Sequence, residues 1–242
     1  MRLRIDAVRR RAQESYRRQQ RFVNDVSHEL RTPLTIIRGY VDLLEACGMS
    51  DPEIFKEAVT SIKTSAQNMQ NLVESLLFLA RADDGDQPLT KVPVNLDELL
   101  KRFVEAYRSP RVQISKLMHC KILGDGEFLK KMFAAFLDNA IRYSPPDTPV
   151  KVELTTEGRF AILQFVDRGI GIAEEDREKI FDRFYRTDKA RTKLDGADSS
   201  VGLGLAVAKW IADRHDIEIS VKSKPGEGST FKLKIPTIDT AC

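Results

Sequence analysis

His28 and Glu29 are the first residues of the chain whose types and spacing could do chemistry. They lie in the stretch Phe22–Leu34, within a longer apolar pattern. Val23, Val26, Leu30, Pro33, Ile37, Val41 and Leu44 follow the alternating three-and-four spacing of a coiled-coil seam. At about 100° per residue, His28 falls about 180° from the middle of that seam, so its imidazole is expected in solvent. Glu29 is next to it, and Thr32 sits one turn on, over the same face. An imidazole exposed beside a carboxylate asks for a reactant, and the candidates lie farther along the chain.

Val166-Asp167-Arg168-Gly169-Ile170-Gly171-Ile172 comes straight off an expected strand. Gly169 and Gly171 would let backbone approach a ligand closely, and the Asp167 carboxylate can accept from an exocyclic amine such as that of adenine. An ordinary glycine turn has the same composition. Gly202-Leu203-Gly204-Leu205 opens an expected helix, whose free amides and dipole suit phosphate. Between the two, residues 186–201 hold Arg186, Lys189, Arg191 and Lys193. That is the composition of a mobile lid with cations for phosphates, and equally of a plain disordered loop. One helix earlier, Asn139, Arg142 and Tyr143 stand at i, i+3 and i+4. Asn139 could reach a phosphate-bound divalent ion, Arg142 a phosphate and Tyr143 a base ring. Taken singly, Tyr143 reads as well as core and Arg142 as a solvated charge. Magnesium held mostly by phosphates and waters needs only a ligand or two from protein.

These residues need elements to position them. The chain from the N-terminus to about Ala46 reads as one helix with Pro33 inside it, where the missing N–H should bend it. Gly48, Asp51 and Pro52 read as a helix stop, an N-cap and a first helical position. A second helix over 52–83 carries its own seam: Phe55, Val59, Ile62, Ala66, Met69, Val73, Leu76 and Ala80. Two such helices make an antiparallel hairpin with much apolar surface left over. Pairing with a second copy into a four-helix bundle would bury it, as would cover from a second domain. We read a homodimer. Residues 84–92, with Gly85 and Pro88, read as a linker. From residue 93 the expected elements are a helix over 95–107, strands at 111–114 and 121–123, and a helix over 126–143 capped by Asp125. A hairpin over 150–155 and 159–166, helices near 174–184 and 202–214, and strands near 217–223 and 229–235 complete the series. This mixture predicts an α/β sandwich: a mostly antiparallel sheet with helices on one face.

Composition sets bounds. The chain has 242 residues and a net charge of +3, with hydrophobic and charged fractions of 42% and 31%, normal for one or two soluble domains. Eight arginines fall in residues 1–21 against Asp6 and Glu14. They suit either a solvated helix face or an anionic membrane surface. No aromatics interleave with them as a nucleic-acid platform would need, so direct nucleic-acid binding is not expected. Cys47, Cys120 and Cys242 form neither a metal-ligand spacing nor a disulfide framework, so reduced thiols are expected. No apolar run reaches the length of a membrane span. His119 and His215 have no ligand-spaced companions and are expected at the surface or a strand edge.

Together the motifs resemble bacterial two-component sensor histidine kinases. Ser27-His28-Glu29-Leu30-Arg31-Thr32-Pro33-Leu34 resembles the H box, Asn139–Tyr143 the N box, and Asp167–Gly171 the first glycine box. Ile180–Arg186 resembles the F box, Gly202–Leu205 the second glycine box, and Gly226–Phe231 the terminal sheet motif. They occur in the family's order over residues 20–236. The resemblance implies a basic helical lead-in (1–19), a dimerisation and histidine phosphotransfer domain (20–83), a linker (84–92) and a catalytic ATP-binding domain (93–242). That last domain would be the α/β sandwich shared with type II topoisomerases and heat-shock chaperone ATPases. It implies ATP and Mg²⁺ as ligands and His28 as the phosphoacceptor, with Glu29 as general base. Thr32 matches the position that orients water for regulator dephosphorylation, and Asp167 the adenine-amine acceptor. Arg142, Tyr143, Arg186, Gly169, Gly171, Gly202 and Gly204 would complete the nucleotide site, and Asn139 would be the magnesium ligand. The partners implied are a second copy and a response-regulator receiver domain. The chain reads as the cytoplasmic portion of a membrane sensor whose anchor lies upstream, with Met1 as an arbitrary start.

One position departs from the family. The N box usually has a second Asn one turn before the one matched by Asn139, and this chain has Ala135 there. Either Asn139 with waters suffices, or Mg²⁺ and ATP binding are weakened. The expected activity is an ATP-dependent kinase. The alternatives are a weak kinase acting mainly as a regulator phosphatase, and a non-enzymatic dimeric scaffold. Asp216 stands where a glycine is common, and aspartate tolerates such turns.

Overall fold

The computed structural model describes residues 2–47, 51–85, 87–187 and 201–238, with side chains from Gln20 onward apart from Arg21 and Cys47. The arginines of the lead-in, the expected cap at Gly48 and the cations Lys189, Arg191 and Lys193 lie outside the described side chains. The chain forms two compact units, with the boundary between Glu74 and Ser75 inside the second helix.

Helix α1 (Arg2–Cys47) runs through Pro33 without interruption. Pro33 has no N–H to give the carbonyl of Glu29. On either side, the Ser27 hydroxyl donates to Val23 O at 2.7 Å and the Thr35 hydroxyl to Arg31 O at 2.9 Å. Asp51 caps helix α2 (Pro52–Asp84) as its sequence predicts, its Oδ1 accepting from the Glu53 and Ile54 amides at 2.9 and 3.3 Å. In α2 the residues Ala58, Ser65 and Leu72, spaced by sevens, are buried. Val23, at 56% exposure, and Val41, Phe55, Val59 and Val73 of the seams are not.

The second unit begins with the last turns of α2, where Phe78 and Leu79 are buried. The Phe78 ring sits 5.1 Å from that of Trp210, edge-on, and 5.8 Å from that of Phe128. Strand β1 (Val92–Asn95) pairs antiparallel with β3 (Lys121–Gly124), flanking helix α3 (Leu96–Tyr107) and strand β2 (Val112–Leu117). The expected linker therefore ends in a strand. It is also tied down, with the Thr90 amide donating to Asp125 Oδ2 at 3.2 Å and Lys91 bridging to Asp216 at 3.2 Å.

Helix α4 (Gly126–Tyr143) follows, then β4 (Val150–Glu157), β5 (Phe160–Asp167), helix α5 (Gly204–Arg214), β6 (Glu218–Lys224) and β7 (Gly228–Pro236). The main sheet has the order β2-β4-β5-β7-β6. Among the described strands only the β2–β4 pair is parallel, so the sheet is mostly antiparallel as expected. Phe136 of α4 stacks on Phe165 of β5 at 5.4 Å and meets Phe231 of β7 at 5.3 Å, so the core lies between this helix and the sheet.

The helix expected near 174–184 is absent. Two single 3₁₀ turns, Glu174–Asp176 and Lys179–Phe181, take its place, with Asp182 extended and Phe184 at φ +62°. Its groups find tertiary partners instead of helical ones. Arg177 donates to Ser223 O at 2.7 Å, Tyr185 to Asp176 at 2.6 Å, and Arg183 grips Asp83 through two bonds of 2.7 and 2.8 Å.

Candidate functional site

Asp167 ends β5 and is 7% exposed. Its Oδ1 accepts from the amides of Gly169 at 2.7 Å and Ser229 at 3.2 Å, with the Ser229 hydroxyl beside them. Burial pushes its pKa above the usual carboxylate value, and these donors pull it part of the way back. The glycine loop after it is pressed from two sides. A Cβ on Gly169 would lie 2.5 Å from Tyr143 O. One on Gly171, at φ +68°, would lie 2.0 Å from Lys224 O. Only glycine fits either place. The Ile170 amide donates to Tyr143 O at 3.2 Å, and Ile170 O accepts from Gly226 at 2.8 Å.

Thus the end of α4 meets the loop directly. Asn139, Arg142 and Tyr143 are half-buried on this helix. Arg111 holds its end in place: the guanidinium donates to the carbonyls of Ile141 (3.0 Å), Ser144 (3.4 Å), Pro145 (2.7 Å) and Thr148 (3.1 Å). It supplies the donors a helix C-terminus lacks. Tyr107 donates to Asp138, next to Asn139; burial and the Asp138 carboxylate together push the phenol upward.

Helix α5 starts at Gly204 after Leu203, and no side chain caps it. Gly202 O accepts from the Phe184 amide at 3.0 Å, which joins the second glycine box to the end of the F-box segment. A Cβ on Gly204 would touch Ala135 Cβ at 3.8 Å, so position 135 of α4 faces the start of α5. Arg186 is half-buried beyond this segment. Among the described residues no three ligating side chains cluster as a metal site. Asn139 offers one amide oxygen and Ala135 none. That fits an ion carried mainly by phosphates and waters.

The second unit therefore brings Asp167, Gly169 and Gly171 against Tyr143 on the N-box helix, and the Gly202–Gly204 turn against position 135 of the same helix. His28 and Thr32, exposed on α1, and half-buried Glu29 belong to the first unit.

His119 is exposed as expected, 3.1 Å from Asp97. His215 is not at a surface or edge: it is 4% exposed. Its Nε2 accepts from the Asp125 amide at 3.0 Å, and its Nδ1 donates to Ile211 O at 2.8 Å, so it ties the start of α4 to the end of α5 as a neutral imidazole. Burial lowers its pKa. Its sequence gave no periodic signal for burial because it closes a helix rather than continuing a stripe. Arg111 and Ser223 also escaped a reading of motifs, and Ser229 was read only as a member of the terminal sheet motif, since partners such as Ile141, Ile172 and Asp167 are distant in sequence.

The chain carries both parts of a histidine kinase core in matching order. Residues 18–85 match the His Kinase A (phospho-acceptor) domain, and residues 124–239 the histidine kinase-, DNA gyrase B- and HSP90-like ATPase domain. The chain belongs to the bacterial two-component sensor histidine kinases. Sensor histidine kinase YkoH of Bacillus subtilis is 38% identical over 225 residues, covering 91% of this chain and 48% of the relative. ArlS, a signal transduction histidine-protein kinase of Staphylococcus aureus, is 36% identical over 228 residues, covering 91% and 49%. The chain thus spans about half the length of the curated relatives it matches. The solved structure of the Acinetobacter baumannii histidine kinase AdeS superposes with a TM-score of 0.65 at 25% identity, over 88% of this chain and 98% of that one. Full-length ShkA in complex with AMPPNP gives 0.62 at 26% identity, over 89% and 45%. This histidine kinase core has no described helix long and apolar enough to cross a membrane.

Proposed function

We propose that the chain catalyses ATP-dependent phosphorylation of His28 and passes the phosphoryl group to an aspartate on a response-regulator receiver domain. The observation that carries this reading is the meeting of the Asp167 loop, the N-box helix and the Gly202–Gly204 turn in one unit of an ATPase family. The solved relative ShkA, described in complex with AMPPNP, supports nucleotide as the ligand.

In this reading the Asp167 carboxylate accepts from the adenine amine. The open amides at the start of α5 receive phosphate oxygens. Arg142 and Arg186 add positive charge near the phosphates, and Tyr143 lies along the base. Asn139 would hold Mg²⁺, which when bound neutralises phosphate charge. A His28 ring nitrogen attacks the γ-phosphorus. The N–P bond forms, the bond from phosphorus to the bridging oxygen breaks, and ADP leaves; Glu29 takes the imidazole proton. Thr32, one turn from His28, orients water when the regulator is dephosphorylated. The exposed seams of α1 and α2 are covered by a second copy, and an upstream segment joins the chain to a membrane sensor.

Incubation with γ-labelled ATP and Mg²⁺ tests this directly. Acid-labile, base-stable label is expected on the chain and absent from His28→Gln. A chain that takes no label would overturn the kinase reading. Ala135 favours one second reading, a phosphatase-biased enzyme with weak nucleotide binding. Accelerated dephosphorylation of a phosphorylated regulator without self-labelling would select it, and neither activity would leave a dimeric scaffold.

A further inference from the structure

Ser223 stands behind the Asp167 carboxylate and has no part in the chemistry above. It is the cross-strand partner of Ser229, the two facing each other from β6 and β7. Its hydroxyl oxygen lies 2.8 Å from the Ile172 amide, 2.8 Å from Gly228 O and 3.0 Å from Ser229 Oγ. Its carbonyl accepts from Arg177. Ser229, the residue after Gly228, in turn donates its amide to Asp167 Oδ1 at 3.2 Å. Ser223 therefore holds the two segments, the glycine loop and the start of β7, that supply the Asp167 donors Gly169 and Ser229.

The hydrogens available limit how these bonds can be ordered. Each hydroxyl has one to give. Gly228 O can only accept, so Ser223 spends its hydrogen there, and the Ser229 hydroxyl donates to Ser223 Oγ, which also accepts from the Ile172 amide. If Ser223 is removed, the Ile172 amide loses its acceptor and Gly228 O its donor, so the two segments beside Asp167 each lose a tether. The two charge-assisted amide donors that aim the carboxylate, Gly169 and Ser229, would then be held less firmly.

We propose that Ser223 is a positioning residue for adenine recognition: it pins the glycine loop at Ile172 and the start of β7 at Gly228, so that the amides of Gly169 and Ser229 hold the Asp167 carboxylate as a fixed acceptor for the 6-amino group. This rests on the reading that Asp167 binds that amine. A fixed, buried acceptor rejects a base lacking the amino group much better than a loosely held one does, because the mismatched complex leaves the carboxylate unpaired.

The test is equilibrium binding of two nucleotides to the full chain: ATP, and purine riboside triphosphate, which lacks the 6-amino group. The wild-type chain is expected to prefer ATP. Ser223→Ala should reduce that preference by roughly fivefold to tenfold, chiefly by weakening ATP, as loss of support to a charged acceptor implies. Ser223→Thr, which keeps the hydroxyl, should retain it. A Ser223→Ala chain that weakens both nucleotides equally, or neither, would overturn the inference while the Asp167 reading stands. A wild-type chain with no preference, or a preference unchanged by Asp167→Ala, would overturn the Asp167 reading and the inference with it. If circular dichroism shows Ser223→Ala unfolded, Ser223→Cys, similar in size but a weak donor, carries the same comparison with the same expected loss.

Discussion

At the residue scale, the proposed chemistry rests on a few groups held by backbone. Asp167 is the clearest. Burial raises its pKa, so the folded chain binds its proton more tightly than the unfolded chain does. Stability of the free protein therefore falls as pH rises through the window above the usual carboxylate value, and a bound amine offsets part of that cost. Nucleotide affinity runs the other way: it should drop on acidification as the carboxylate takes its proton, in a pH range above that of an ordinary aspartate. Calorimetric titration with ATP across acid pH checks this, and Asp167→Asn should remove the pH step and weaken binding by about 1–3 kcal/mol. Ala135 gives a second expectation. It faces Gly204 at the start of α5, so Ala135→Asn would add an oxygen where phosphates are expected. Tighter Mg·ATP binding is the expected result; an unchanged affinity would show that Asn139 with waters suffices. The H box and glycine motifs were legible in the sequence because the chemistry there is local. The supports of Asp167 were not, because Ser223 and Ser229 arrive by backbone register from strands 56 and 62 positions further along.

At the element scale, α2 does not end where its seam ends. Its last turns are part of the second unit, with Phe78 only 4% exposed between Phe128 and Trp210. Phe78→Ala should destabilise that unit by about 3–5 kcal/mol, read by denaturant unfolding of a fragment starting at Ser75. A fragment starting at Val92 should show a similar loss. His215 links two helices and gives a pH expectation. Burial lowers its pKa, Lys91 adds to this, and Asp125 and Asp216 oppose it. The unfolded chain then binds the proton first, so stability should decline as pH falls below the ordinary imidazole value toward the lowered one. Melting curves from pH 7.5 down to about 5, the range in which an imidazole ordinarily titrates, test this, with His215→Gln expected to flatten the slope. Sequence periodicity placed α3, α4, α5 and the strands from β2 onward well, but not β1 at the end of the expected linker. It failed at 174–184, where the Phe184 amide goes to Gly202 O and the Arg177 guanidinium to Ser223 O, and only short 3₁₀ turns form.

At the scale of the whole molecule, the proposed reaction is divided between the two units. His28 lies on α1 of the first, and the nucleotide elements lie in the second. The seam residues Val23, Val41, Val59 and Val73 remain exposed in the single chain. A second copy should cover them, and sedimentation is expected to show a dimer that Val59→Lys with Val73→Lys dissociates. A monomer at micromolar concentration would refute the bundle.

The sequence alone determined the hairpin, the sandwich and the family, because seams, caps and glycine motifs are local patterns set by helix and strand periodicity. It also exposed the departure at Ala135. Only the tertiary structure decided what holds the site. The buried carboxylate of Asp167, its amide donors, the Arg111 clasp on α4 and the buried imidazole of His215 all depend on backbone groups brought together across the sheet and between helices. A hydrogen bond to a distant carbonyl or amide leaves no periodic mark on the chain, so folding had to reveal it.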